Sequence, residues 1–169
     1  MYAATMETKD VKVSIIIPVY QVSAYIERCI RSVLNQTYKE IECIIVNDAT
    51  QDDSIEKCQQ LIENYRGEIR FKIVNHNANR GLSAARNTGI DAASESYIFY
   101  LDGDDEISSD CIEKLVKPCK KDGSIEMVMG ALHAITKGNV LSRYCQRRMN
   151  QLGIISLAKV ASMLVRGIN

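Results

Sequence analysis

The chain has no excess of either charge: 21 Lys and Arg stand against 21 Asp and Glu over 169 residues. A protein holding nucleic acid through bulk electrostatics shows a basic surplus, so no nucleic-acid partner is expected. Cysteine occurs at Cys29, Cys43, Cys58, Cys111, Cys119 and Cys145, never as a Cys-x-x-Cys pair. His76 and His133 stand alone, without ligand spacing around either, which argues against zinc. His76 falls in a polar, Asn-rich loop and reads as a solvated residue. No G-x-G-x-x-G or G-x-x-x-x-G-K is present, which argues against a dinucleotide-binding dehydrogenase and a P-loop kinase. A sugar-1-phosphate nucleotidyltransferase would place a Gly-rich loop after its first strand, where this chain has Pro18-Val19-Tyr20-Gln21.

Long apolar runs are also missing, so no transmembrane segment is expected. Gly153–Ile168 comes nearest, but Lys159 and Arg166 interrupt it. Ser156, Lys159, Ser162 and Arg166 recur at helical spacing, which predicts a helix with one polar stripe and a broad apolar face. Such a helix most often packs on its own domain; a peripheral membrane seat or a homodimer through that face is the minority reading. Met1–Asp10 is polar, so no secretory leader is expected. Reduced thiols and a cytoplasmic location, open to the inner membrane face, are the expectation.

What remains is an ordinary globular composition, 46% hydrophobic and 25% charged, long enough for one real core. Short β-branched runs at Val11–Pro18, Ile41–Val46, Phe71–Val74, Tyr97–Leu101 and Ile125–Met129 read as strands. Between them, Ser23–Gln36 (capped by Ser23), Ser54–Tyr65, Leu82–Ala93 and Asp110–Lys121 read as helices. Ala131–Thr136 and Val140–Tyr144 flank Lys137-Gly138-Asn139 as a hairpin. Strands alternating with helices of this length predict an α/β fold with a mostly parallel sheet and right-handed crossovers. The expected layout is a polar tail at 1–10, a main domain at 11–130 and a further region at 131–169 comprising the hairpin and apolar helix.

The chemistry concentrates at Asp102-Gly103-Asp104-Asp105, directly after the fourth strand. Three carboxylates in four residues repel one another unless a cation sits among them. Mg²⁺ or Mn²⁺ suits them, because hard cations take carboxylate oxygens and keep positions open for phosphates. Loops at the C-terminal ends of neighbouring strands converge in such a sheet. Pro18-Val19-Tyr20 brings a flat ring for a base, and Asp48 an acceptor for a base N–H. Gly81 lets the backbone approach a ligand at a helix N-terminus, where Arg86 follows one turn later. Each element also has a plain structural reading: a strand end, a turn cap, a bare turn, a surface arginine. Four polar loops at successive strand ends are harder to explain as turns alone.

Val13-Ser14-Ile15-Ile16-Ile17-Pro18-Val19-Tyr20 and Ile30-Arg31-Ser32-Val33-Leu34-Asn35-Gln36-Thr37 resemble the opening of family-2 glycosyltransferases. Ile44-Ile45-Val46-Asn47-Asp48, the run from Asn79 to Gly89 and the run from Tyr97 to Asp105 continue the resemblance, which covers about residues 12–115. It implies the GT-A fold, a nucleotide-sugar donor with UDP preferred, and transfer with inversion to a glycan or lipid-linked acceptor, as in polysaccharide synthesis. By matching position, Asp48 would bind the base, and Asp102-Gly103-Asp104 would be the family's D-x-D motif. Asp104, with Asp102, would then hold Mn²⁺ or Mg²⁺. Inversion needs a carboxylate base on the face opposite the leaving diphosphate. In the family that base is an Asp in a Glu-Asp pair, and no such dipeptide occurs here. Asp122 and Glu126 do not match its place, so the base is expected beyond Asn169 and no catalytic residue is assigned. The alternative is a catalytically silent nucleotide-binding or interaction module.

Overall fold

The computed structural model of the chain describes residues 11–130, 134–136, 139–141 and 153–156. Strand β1 (Val13–Val19) is followed by helix α1 (Ile26–Leu34), β2 (Ile41–Asn47), α2 (Ser54–Glu63) and β3 (Arg70–Asn75). Then come α3 (Leu82–Ala92), β4 (Tyr97–Tyr100), α4 (Cys111–Lys121), β5 (Met127–Met129), β6 (Ala134–Thr136), β7 (Asn139–Leu141) and β8 (Gly153–Ser156). The main sheet runs β3-β2-β1-β4-β8-β5. Its first four strands are parallel, and β8 lies antiparallel to both β4 and β5.

All seven residues of β1 are buried, as a central strand covered on both faces requires. Alternation divides its side chains. Ile15 and Ile17 join Cys43, Ile45 and Phe99 in the larger core beneath α1, α2 and α4. Ile16 joins Ile44, Val46 and Ile98 in a smaller core with Ala85 of α3. Ser14 is the polar exception, and its buried hydroxyl donates to Glu42 Oε1 at 2.6 Å.

Pro18 sits within this central strand although it has no N–H to give the ladder. Its position explains the tolerance. The β1–β4 register stops at Ile16↔Tyr100, so Pro18 has no partner to disappoint on that side. The same gap is where the chain leaves β4 and turns through Asp102.

Two sequence expectations change. Ser23 does not cap α1, whose N-terminal flank is Tyr25 with no side-chain cap. The carboxylates of the β2–α2 loop take Ser23 instead. Its N–H donates to Asp52 Oδ2 at 2.9 Å and its hydroxyl to Asp53, and it accepts from Lys57 Nζ at 2.7 Å. Residues 153–156 form a strand rather than the start of a helix, with Ile154 fully buried. Gly-Ile-Ile-Ser suits an extended segment, and the open edge of β4 supplies ladder bonds that helical periodicity cannot anticipate. The rest of that expected helix lies outside the described residues. The hairpin is present as β6 and β7, paired from Ala134↔Leu141 to Thr136↔Asn139.

Candidate functional site

The C-terminal ends of β1, β2 and β4 and the N-terminus of α3 enclose a cavity of about 490 Å³. Apart from Arg86 and Asp105, the strand-end residues singled out in the sequence line it: Pro18, Val19 and Tyr20 at the end of β1, Asp48 after β2, Gly81 before α3, and Asp102, Gly103 and Asp104 after β4. Val22, Asn79, Leu82 and Ala85 complete the wall. Tyr20 and Leu82 are the exposed apolar pair at its mouth, 42% and 51% accessible.

Asp48 is almost wholly buried and its carboxylate is heavily engaged. Oδ1 accepts from the backbone N–H of Arg80 at 2.8 Å and from His76 Nδ1 at 2.7 Å, and Oδ2 accepts from the N–H of Gly81 at 2.8 Å. Burial alone would raise this carboxyl, but the three hydrogen bonds outweigh it and hold the group below the usual carboxylate range. His76 is therefore no solvated loop residue. It is buried, and its Nε2 bonds to Thr88 Oγ1 of α3 at 2.8 Å. Sequence reading missed both partners, although His76 directly follows β3 at the same sheet edge as the other loops.

The loops carrying these groups hold unusual backbone. Gly81 has φ 85° and ψ 163°, a region open in practice to glycine alone, and this turn brings its N–H onto Asp48. Gln21 and Ala49 sit at φ 54° and 56°. The N–H of Gln21 donates to Thr50 Oγ1 at 2.8 Å, and that of Thr50 to Asn47 Oδ1 at 3.0 Å, which ties the β1 and β2 loops together.

The acidic turn is anchored by its backbone and leaves its charges open. The Asp102 carbonyl accepts the Cys29 thiol at 3.6 Å, and burial pushes that thiol's pKa far up, keeping it a protonated donor. A Cβ on Gly103 would lie 3.0 Å from Val22 Cγ2 and 3.3 Å from the Pro18 carbonyl, so a side chain there would push on both, and glycine lets the turn lie against β1 without a shift. Further on, the fully buried Gln36 donates to the Ser108 carbonyl at 2.7 Å and accepts from the Ile112 N–H at 3.1 Å. In sequence Gln36 read as a helix end and as part of the Ile30–Thr37 resemblance, with no role assigned.

Among the side chains, Arg86 Nη2 donates to Asp102 Oδ1 at 2.7 Å and its guanidinium lies 5.5 Å over the Tyr100 ring. Arg86 thus stands behind the cavity wall as Asp102's partner, and its Nε is buried without a hydrogen bond. Asp104 is exposed and forms no hydrogen bond or ion pair among the described residues. Desolvation, then Asp104 and Asp102, raise the carboxyl of Asp105.

No three Asp, Glu, His or Cys side chains converge on a metal-sized point among the described residues. Asp102 and Asp104 nonetheless fit a hard divalent cation of the Mg²⁺ or Mn²⁺ kind, which characteristically takes one or two carboxylates and completes its shell with water and substrate phosphate. A second hollow of about 450 Å³ lies between α1 and the residues after the acidic turn. Its well-exposed charges pair among themselves, Arg28 with Glu106 at 3.1 Å and Arg31 with Glu27 at 3.6 Å, so it presents only surface ion pairs. No helix among the described residues is long and apolar enough to cross a membrane.

Comparison with known proteins agrees with this geometry. The profile of glycosyl transferase family 2 matches residues 14–164. An uncharacterized glycosyltransferase of Bacillus subtilis, EpsJ, is 46% identical over 110 residues, 64% of this chain and 30% of that protein. The crystal structure of S. aureus TarS 1-349 in complex with UDP superposes with a TM-score of 0.72 at 20% identity, over 89% of this chain and 48% of that one. The mannosyltransferase PcManGT from Pyrobaculum calidifontis, in complex with GDP-Man and Mn2+, gives a TM-score of 0.70 at 18% identity, over 85% and 44%. The fold is GT-A, as the resemblance implied, and the chain spans about half or less of the proteins it matches.

Proposed function

We propose, for a chain that belongs to glycosyl transferase family 2, that the cavity at the strand ends binds the nucleotide-sugar donor, a UDP-sugar, for transfer with inversion to a glycan or lipid-linked acceptor. The observation that carries this reading is Asp48: a buried carboxylate, already holding three N–H donors, that still lines an open cavity beside an exposed tyrosine and an acidic turn. A fourth N–H, such as the imide of uracil, completes its hydrogen bonding.

The residues then divide the donor among them. Tyr20 offers its ring to the base and Asp48 reads the base edge. Asp102, with Oδ1 held by Arg86, keeps Oδ2 for a ribose hydroxyl or a cation. Asp104 and Asp102 would hold Mn²⁺ or Mg²⁺. A cation there supplies positive charge against the diphosphate as it departs. Arg86 fixes Asp102 in place throughout. The proton of the attacking hydroxyl needs an acceptor on the opposite face of the sugar. The cavity's carboxylates are Asp48, Asp102 and Asp104, each assigned to the donor, so the base is sought outside this set. We assign residues 11–130 to donor binding and 131–169 to the acceptor side, working in the cytoplasm or at the inner membrane face.

Calorimetry with UDP, with and without Mn²⁺, on the chain and on Asp104→Ala tests this. Binding that requires Mn²⁺ and weakens at least about tenfold in Asp104→Ala is the expected result. UDP binding indifferent to both would overturn the metal assignment, and no UDP binding in either condition would overturn the donor site and favour an interaction module.

A further inference from the structure

We infer that His76 sets the nucleobase selectivity of the cavity by filling one acceptor position on Asp48, so that a single position remains for the base. The inference rests on the donor reading above. A carboxylate has about four acceptor positions. On Asp48, Oδ1 is filled twice, by Arg80 N–H and His76 Nδ1, and Oδ2 once, by Gly81 N–H. Two of these donors are backbone groups that come with the turn before α3. His76 is the only side chain in the set, and its ring is itself fixed at the far end by Thr88 Oγ1.

An ionised carboxylate can only accept, so Nδ1 carries the proton toward Asp48. Nε2 shares a hydrogen bond with the Thr88 hydroxyl, which can donate or accept, so the ring satisfies both bonds with its Nδ1 proton toward Asp48. With Oδ1 saturated, the carboxylate has no reason to rotate, and the cavity meets one fixed acceptor on Oδ2. Uracil presents an N–H at its ring N3, whereas cytosine presents a lone pair there, which that acceptor repels. Without His76, Oδ1 regains a free position. The carboxyl can then take up a proton and donate to cytosine's N3, or turn and accept from cytosine's exocyclic amine. His76 is thus a positioning residue: it acts on the base through Asp48 and touches no reacting atom.

Two substitutions separate this role from simple structural support. The side-chain amide nitrogen of Asn reproduces Nδ1, and that of Gln reproduces Nε2. His76→Asn keeps the bond to Asp48 and loses Thr88; His76→Gln keeps Thr88 and loses Asp48. Calorimetric affinities for UDP and CDP, both with Mn²⁺, are measured on the full chain and both variants. His76→Asn is expected to retain the wild-type UDP:CDP preference. His76→Gln is expected to lose about five- to tenfold of it, the worth of one well-aligned hydrogen bond. Equal ratios in the two variants would overturn the inference while leaving the donor site standing. Wild type that binds neither nucleotide would remove the donor reading and this inference with it. Imidazole ¹⁵N spectra of the wild type give a second reading that needs no variant to fold. His76 protonated at Nδ1 with and without UDP supports the role, and protonation at Nε2 alone refutes it.

Discussion

Gly81→Ala isolates a backbone effect with little else in the way. At φ 85° and ψ 163° the residue occupies a region that side chains avoid, yet no atom lies within 4 Å of an added Cβ. Any loss therefore comes from the chain's own dihedrals. Holding a non-glycine residue there costs about 1–3 kcal/mol. Restricting the unfolded chain returns about 0.4–1 kcal/mol. The net loss is about 1–2 kcal/mol, which for a domain of this size lowers Tm by about 2–8 °C. The variant can escape only by rotating φ to negative values, which turns its N–H off Asp48 Oδ2. Thermal denaturation followed by circular dichroism, paired with UDP calorimetry, reads both routes. We expect a lower Tm, weaker UDP binding, or both. A Gly81→Ala protein with unchanged Tm and unchanged UDP affinity would refute the reasoning, because the turn would then tolerate a side chain in a conformation assigned to glycine alone.

The opposite sign is expected at Ala49, where a side chain already sits at φ 56°. Ala49→Gly should raise Tm by about 1–4 °C, since relief of left-handed strain of about 1–2 kcal/mol exceeds the added unfolded-state entropy; a fall in Tm would count against strain at this turn. Acid should weaken the fold through the β2 loops. Burial would raise Asp52, but the hydroxyls of Ser54 and Thr50 and the N–H groups of Ser23 and Ser54 bring it down to about 2. A folded-state pKa below the unfolded value gives stability that is complete above the unfolded pKa, near 3.8, and is lost as pH falls toward 2. Melts between pH 6 and 2 should therefore decline more steeply for wild type than for Asp52→Asn, and parallel curves would contradict the assignment.

How much of this was legible in the sequence depends on the range of the forces involved. β1 and β2 read correctly because central parallel strands bury both faces and so become continuous apolar runs. The residues of the strand-end loops line one cavity because an α/β sheet brings successive strand ends to one edge, so this meeting in space was legible from their order in the chain. Errors arose where a partner distant in sequence decided the outcome. Ser23 looked like a cap because the carboxylates of Asp52 and Asp53 belong to the next loop. His76 looked solvated because Asp48 lies 28 residues before it and Thr88 12 residues after. Residues 153–156 looked helical because the edge they join, β4, lies more than fifty residues upstream. Arg86 showed its charge but not its partner, Asp102 in the cavity wall.

The two ends of the cavity treat carboxylates in opposite ways, and the contrast follows from what each must do. Asp48 is desolvated, so it survives as an anion only because three N–H donors face it; the same donors leave it rigid. The acidic turn receives no such treatment. Of Asp102, Asp104 and Asp105, only Asp102 has an ion-paired cation among the described residues, Arg86, and Arg28, which eases Asp105, is paired with Glu106. Mutual repulsion on its own would push such a turn into solvent. It stays in place because its restraints are on the backbone: the Cys29 thiol on the Asp102 carbonyl, Gly103 against Pro18, and Gln36 bridging Ser108 to Ile112. Holding the main chain while leaving Asp104 unpaired among the described residues, and Asp102 engaged by Arg86 through Oδ1, keeps carboxylate oxygens on the turn open to positive charge. On the donor reading, the base end is therefore built in advance by the protein, and the phosphate end is completed only by what the donor brings with it.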